Sequence, residues 1–177
     1  MALQARTETK TTKRPATRTR DAVGLLMADH RSLKRLFDAY KKLLKGRANR
    51  STKSEKANLV QQICIEFTVH SKIEEEIFYP AARKAIKDNE LMDMAEVEHA
   101  SALDLVGQLS EMDPGDELYD AKVIVLSEFI ELHVGEEEKQ MFPKVKKTRL
   151  DLDSLGDKLK ERKLALTEKI KSRPKRH

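Results

Sequence analysis

The chain has 177 residues, of which 39% are hydrophobic and 37% charged, with 6 Gly, 5 Pro, no Trp and a single cysteine, Cys64. That length carries one domain with a full core, and a charge-rich, glycine-poor composition is that of a helical protein. One cysteine excludes an intrachain disulfide, no run approaches the ~18 apolar residues of a membrane helix, and the start lacks a secretory apolar stretch, so a cytoplasmic location is expected.

The net charge of +5 is concentrated at the ends. Residues 1–20 hold Arg6, Lys10, Lys13, Arg14, Arg18 and Arg20 against Glu8 alone, show no periodicity, and are expected to form a disordered basic tail. Residues 169–177 hold five basic residues and no acid, leaving the body mildly acidic. Such tails can make weak contacts with anionic surfaces. No specific nucleic-acid motif, phosphate loop or nucleophile triad accompanies them.

A domain over 21–150 is expected between the tails. Asp21 is placed to cap a first helix running to about Lys45, which Gly46 closes in a left-handed conformation. Thr52-x-x-Glu55 has the form of a capping box and opens a second helix to about Lys87, bent or locally ended at Pro80. Asp88-Asn89 turns the chain into a third helix, about Glu90–Glu111, and Asp113-Pro114-Gly115-Asp116 breaks it. A fourth helix runs from about Glu117 to Pro143. Residues 151–177 read as a C-terminal helix, about Ser154–Lys171, polar on most faces, and a basic tail.

Each of the first four helices carries an apolar seam at three- and four-residue steps. The seams are Val23, Leu26, His30, Leu33, Phe37, Tyr40, Leu44; then Leu59, Ile63, Phe67, His70, Glu74, Ile77, Ala81; then Met92, Ala95, His99, Ala102, Val106, Leu109; and Tyr119, Val123, Leu126, Ile130, His133, Glu137. Short connections make neighbours antiparallel, so the expected fold is all-α: an up-down-up-down four-helix bundle with an additional C-terminal helix.

Every seam contains one histidine, and the second and fourth add a glutamate four residues later, His70-x3-Glu74 and His133-x3-Glu137. Side chains at i and i+4 share a helix face. Counting from the turns at ~1.5 Å per residue brings the four histidines to one depth. The chain also repeats itself, with ten residues from His70 to Pro80 and from His133 to Pro143. Four imidazoles and two carboxylates in a core cost several kcal/mol per unpaired charge, at about the level for buried groups. A pair of metal ions between two symmetric halves removes that cost. Glu96-x-x-His99 is a lesser alternative ligand element, and Cys64 is expected to be structural. Asp29 and Glu98 are candidates to accept from the ligands, but the ~100° between adjacent helix positions favours the surface for both.

With these motifs in this order, the chain resembles a hemerythrin-like (HHE cation-binding) protein over about residues 21–147. The resemblance implies that His30, His70, His99 and His133 bind iron, and that Glu74 and Glu137 bridge two non-haem ions carrying an oxo or hydroxo bridge. Residue physics alone leaves zinc and manganese open. Oxygen carriers of the family have a His-x3-His motif on the third helix, where this chain has Leu103 four residues after His99. They end with a histidine and an aspartate five residues on, where this chain has His133-x3-Glu137 with Glu138 in the fifth position. Four nitrogens leave about two of six octahedral positions open on each ion. Openings on both ions suit a small ligand such as peroxide, dioxygen or nitric oxide, with catalase- or peroxidase-like removal of peroxide favoured. The alternative is a sensor of oxygen, nitric oxide or iron, or an iron-storage module without turnover.

Overall fold

A computed structural model describes residues 21–46 and 50–172 of the chain. The basic N-terminal tail, the middle of the first linker and the last five residues, all sites of sequence expectations, lie outside the described residues. The elements are α1 (Ala22–Leu44), α2 (Arg50–Ile73), a π-helical turn (Glu74–Phe78), α3 (Tyr79–Ile86), α4 (Asn89–Ser110), α5 (Tyr119–Glu136), a second π-helical turn (Glu137–Met141), α6 (Phe142–Lys146) and α7 (Leu152–Lys171). Each π turn is continuous with the helices around it. The result is four long rods in an antiparallel bundle, with α1 against α2 and α5, and α4 against α2 and α5. A fifth helix, α7, lies outside, over α1, α2 and the first π turn.

Capping accounts for three of the helix starts. The side chains of Asp21, Asp88 and Asp151 accept hydrogen bonds from the backbone N–H groups of Gly24, Leu91 and Ser154 at 2.6, 3.2 and 3.0 Å. Thr52, by contrast, lies inside α2, which is already helical at Arg50, so its capping box is not the start of that helix. Gly46 is not left-handed either. α1 closes on short bonds from Lys45 and Gly46 N–H to the Lys42 and Leu43 carbonyls, and the left-handed residues are Lys87 and Leu118, with φ of 54° and 67°.

The rods run on through Pro80 and Pro143 without ending. A proline has no N–H, and its ring crowds the carbonyl four residues back. The rods meet this with a wider turn one residue before each proline: Tyr79 N–H bonds the Glu74 carbonyl and Phe142 N–H bonds that of Glu137, five residues back. The extra residue shifts the inward seam. Past Glu74 the buried positions are Phe78, Tyr79 and Ala82, and the expected Ile77 and Ala81 are only partly buried. Leu44, the last expected seam residue of α1, is exposed.

Two apolar clusters sandwich a polar layer. One contains Leu26, Ile73, Phe78, Met92, Met141 and Phe142, together with Leu155, Leu159 and Leu166 from α7. The other contains Leu33, Phe37, Ile63, Phe67, Leu126 and Ile130. A fully buried side chain of this size stabilises by about 1.5–3 kcal/mol. α7 is therefore part of the core, more than its polar sequence suggests. No helix among the described residues is long and apolar enough to cross a membrane.

Candidate metal centre

All six residues expected at the centre are brought together, and all are buried: His30, His70, Glu74, His99, His133 and Glu137. The i, i+4 spacing puts Glu74 one turn beyond His70 and Glu137 one turn beyond His133, and the antiparallel packing brings in the other two histidines. Glu74 Oε2 lies 3.1 Å from His70 Nε2 and 3.4 Å from His99 Nε2. Glu137 Oε2 lies 3.2 Å from His30 Nε2 and 3.5 Å from His133 Nε2. Each carboxylate thus meets one histidine from each half. The ligand atoms fall into two groups, His30, His70, Glu74 and Glu137 in one, and Glu74, His99 and His133 in the other.

The donor set fits cations. Nε2 of His30 and His70, both oxygens of Glu74 and Oε2 of Glu137 are buried without a hydrogen-bond partner among the described residues. Each such group costs about 1–3 kcal/mol when left unsatisfied. Electrostatics show the same conflict. Burial and the Glu137 carboxylate push the Glu74 carboxyl well above its ordinary range. Burial opposes charge on Glu137 as well, but His133 and His30 hold its carboxyl down at about 2. His30, despite its burial, is lifted to about 9 by Glu137 and Glu74, whereas burial lowers His70 to about 4. The two equivalent carboxyls, Glu74 and Glu137, are driven in opposite directions because protons alone must neutralise the cluster. A positive charge between the carboxylates lets both ionise.

Behind the inner six stands a ring of four more carboxylates, one at each histidine. Glu138 Oε1 lies 2.9 Å from His30 Nδ1, Glu75 Oε1 3.2 Å from His99 Nδ1, Glu98 Oε2 2.8 Å from His133 Nδ1, and Asp29 Oδ2 3.6 Å from His70 Nδ1. The first three are within hydrogen-bond distance, while Asp29 only faces His70. Ionised carboxylates only accept, so in His30, His99 and His133 the proton belongs on Nδ1 and the Nε2 lone pair turns inward, the arrangement that metal-ligating histidines use. His99 in turn holds the Glu75 carboxyl below its ordinary range. The surface expectation for Asp29 and Glu98 is corrected here. The ~100° between successive helix positions turns each away from the centre and toward the histidine of the paired helix.

Tyr79 breaks the symmetry. Its hydroxyl donates to Glu137 Oε1 at 3.0 Å and stands 3.4 Å from Nε2 of both His99 and His133. Its counterpart after the second π turn is Phe142, which stacks on His30 with centroids 5.7 Å apart. Tyr79, Glu75 and Glu138 were not legible as site residues, because the π turns that aim them shift an α-helical register. The one available signal was the repeat itself, which places a Glu after each His-x3-Glu and an aromatic before each proline. Glu96 is outside the centre, paired with Arg83 at 2.8 Å on the surface. Cys64 is remote from it, its thiol pushed up to about 12 by burial.

Fold and donor set together define a helical-bundle protein with a buried His/Glu cluster suited to cations. The chain matches the family described as Hemerythrin HHE cation binding domain over residues 21–145, and it belongs to that family. It is similar to the uncharacterized protein Rv2633c of Mycobacterium tuberculosis, 29% identical over 111 residues, covering 61% of this chain and 67% of the relative. A protein of Mycobacterium bovis, Mb2666c, matches to the same extent. Among solved structures, the hemerythrin HHE cation-binding domain-containing protein from Mycobacterium kansasii, an Rv2633c homologue, superposes with a TM-score of 0.67 at 26% identity, over 84% of this chain and 88% of that one.

Proposed function

We propose that the protein is a non-haem di-iron protein, with His30 and His70 on one ion, His99 and His133 on the other, and Glu74 and Glu137 bridging them. The observation that carries this reading is that each glutamate Oε2 lies between one histidine of each half, at 3.1–3.5 Å from both. Hard carboxylate and borderline imidazole donors suit iron, and zinc or manganese is separated from it by metal analysis.

The same reading extends to the ligand: a small oxygen species, with peroxide removal favoured. Bound iron supplies redox chemistry toward such a molecule. The chain supplies the rest. Two histidines and two shared carboxylates would fill about four of six positions on each ion, which would leave room for a small ligand. Tyr79 offers a proton from its hydroxyl at the His99–His133 side. Phe67, edge-on to the His99 ring at 5.7 Å, and Phe142 keep bulk water from the layer. The four outer carboxylates fix the imidazoles in place.

The test is to purify the protein, count its iron, and add hydrogen peroxide while following oxygen release and peroxide loss. Many peroxides consumed per chain is the expected result. One stoichiometric, reversible change in the visible spectrum would instead make the protein a binder or sensor.

A further inference from the structure

α7 lies beyond the span matched to the family, yet it reaches the ring behind the candidate ligands. Lys163 Nζ donates a hydrogen bond to Oδ1 of Asp29, a buried carboxylate on α1. Asp29 Oδ2 faces His70 Nδ1 at 3.6 Å, beyond hydrogen-bond reach. Its place is therefore set by the lysine, not by the histidine. In the other half, Glu98 contacts His133 Nδ1 directly at 2.8 Å, and among the described residues no lysine or arginine pairs with it. The outer face of α1 and α2 is covered by α7, while none of the described helices covers that of α4 and α5.

We propose that Lys163 is a positioning residue for the ion at His30 and His70: by holding Asp29 Oδ1 it aims Oδ2 at His70 and makes the two ion positions unequal. This rests on the two-ion reading above. Without Lys163 the Asp29 carboxylate has no donor among the described residues to hold it. His70 then loses the negative charge that faces its Nδ1 and favours a proton there, with Nε2 left free to ligate. Among the described residues no hydrogen bond or ion pair joins α7 to Glu98 or His133, so the second position is expected to be unaffected.

Cobalt(II) is the probe, loaded onto the whole chain and challenged with a chelator while bound cobalt is counted. Lys163→Met is expected to lose one ion per chain at a chelator concentration about tenfold lower than wild type, keeping the second ion as wild type does. Asp29→Asn does the same, and Lys163→Met adds nothing to it in the double variant, because the lysine acts through the aspartate. Arg162→Met, which cuts the neighbouring Arg162–Glu76 pair of the same helix, retains both ions. The proposal is overturned if Lys163→Met keeps both ions like wild type, if both leave together, if Arg162→Met reproduces the loss, or if the double variant weakens binding further. Wild-type protein that takes up no cobalt would instead sink the two-ion reading itself, a separate result.

Discussion

Tyr79 and Phe142 occupy equivalent places after the two π turns, but only Tyr79 brings a hydroxyl to the centre, 3.0 Å from Glu137 Oε1. Burial and the surrounding carboxylates push that phenol well above its ordinary range, so it stays protonated and can donate. Replacing it by Phe makes the two halves alike. Tyr79→Phe is expected to keep its metal content and to lose about 10²-fold in peroxide turnover, the usual size of a general acid's contribution. Steady-state rates normalised to bound iron check this, and an unchanged rate removes the tyrosine from the chemistry.

Metal uptake should expel protons. In the metal-free protein, His30 holds a proton up to about pH 9 and the Glu74 carboxyl is pushed well above its ordinary range. Both must be deprotonated to ligate, so affinity rises as pH climbs toward 9 and falls, by about tenfold per unit for each proton displaced, below it. His70, lowered to about 4, is neutral at pH 7 and adds no such dependence. Loading a weakly buffered solution at pH 7 should acidify it; uptake without acid release contradicts the assignment.

Folding and binding share one free energy at a buried centre. Metal at 100 times its dissociation constant adds about 2.7 kcal/mol, or roughly 5–10 °C in Tm for a chain of this size. Glu74→Ala and Glu137→Ala should abolish that increment, because each removes an acceptor shared by both halves. Thermal scans with and without metal give the answer, and a metal-dependent rise in either variant that matches wild type rules out bridging.

The opposite end of the bundle serves as a control. Asp120 accepts from Tyr40 Oη at 2.6 Å and from Lys56 Nζ at 2.7 Å. Asp120→Ala leaves the Tyr40 hydroxyl without its acceptor and is expected to cost about 1–3 kcal/mol in denaturant unfolding. Metal content should not change, and loss of metal in this variant would mean the site depends on global stability alone.

What the sequence disclosed follows from where the helices are regular. His30, His70, His99 and His133 sit on unbroken α-helical stretches, so three- and four-residue counting placed them at one depth. Glu74 and Glu137 begin the π turns and were still in register. One residue later the count fails. Glu75 and Glu138 looked like members of solvated acidic runs, and they do stay partly exposed while reaching His99 and His30. Tyr79 looked like a residue off the seam, and the wider turn buries it. Asp29 and Glu98 were misjudged for a different reason: their angle was measured from the bundle axis, while their partners lie on the next helix. Gly46 lies in a turn closed by short backbone bonds, and the left-handed conformation expected of it falls instead on Lys87 and Leu118.

The most direct test is a cation titration of the chelator-stripped, folded chain, read as bound metal per chain. Saturation at two ions is the expected end point, with neither ion held normally once Glu74 or Glu137 is removed. A folded chain that saturates at one ion, or binds none, contradicts the paired centre.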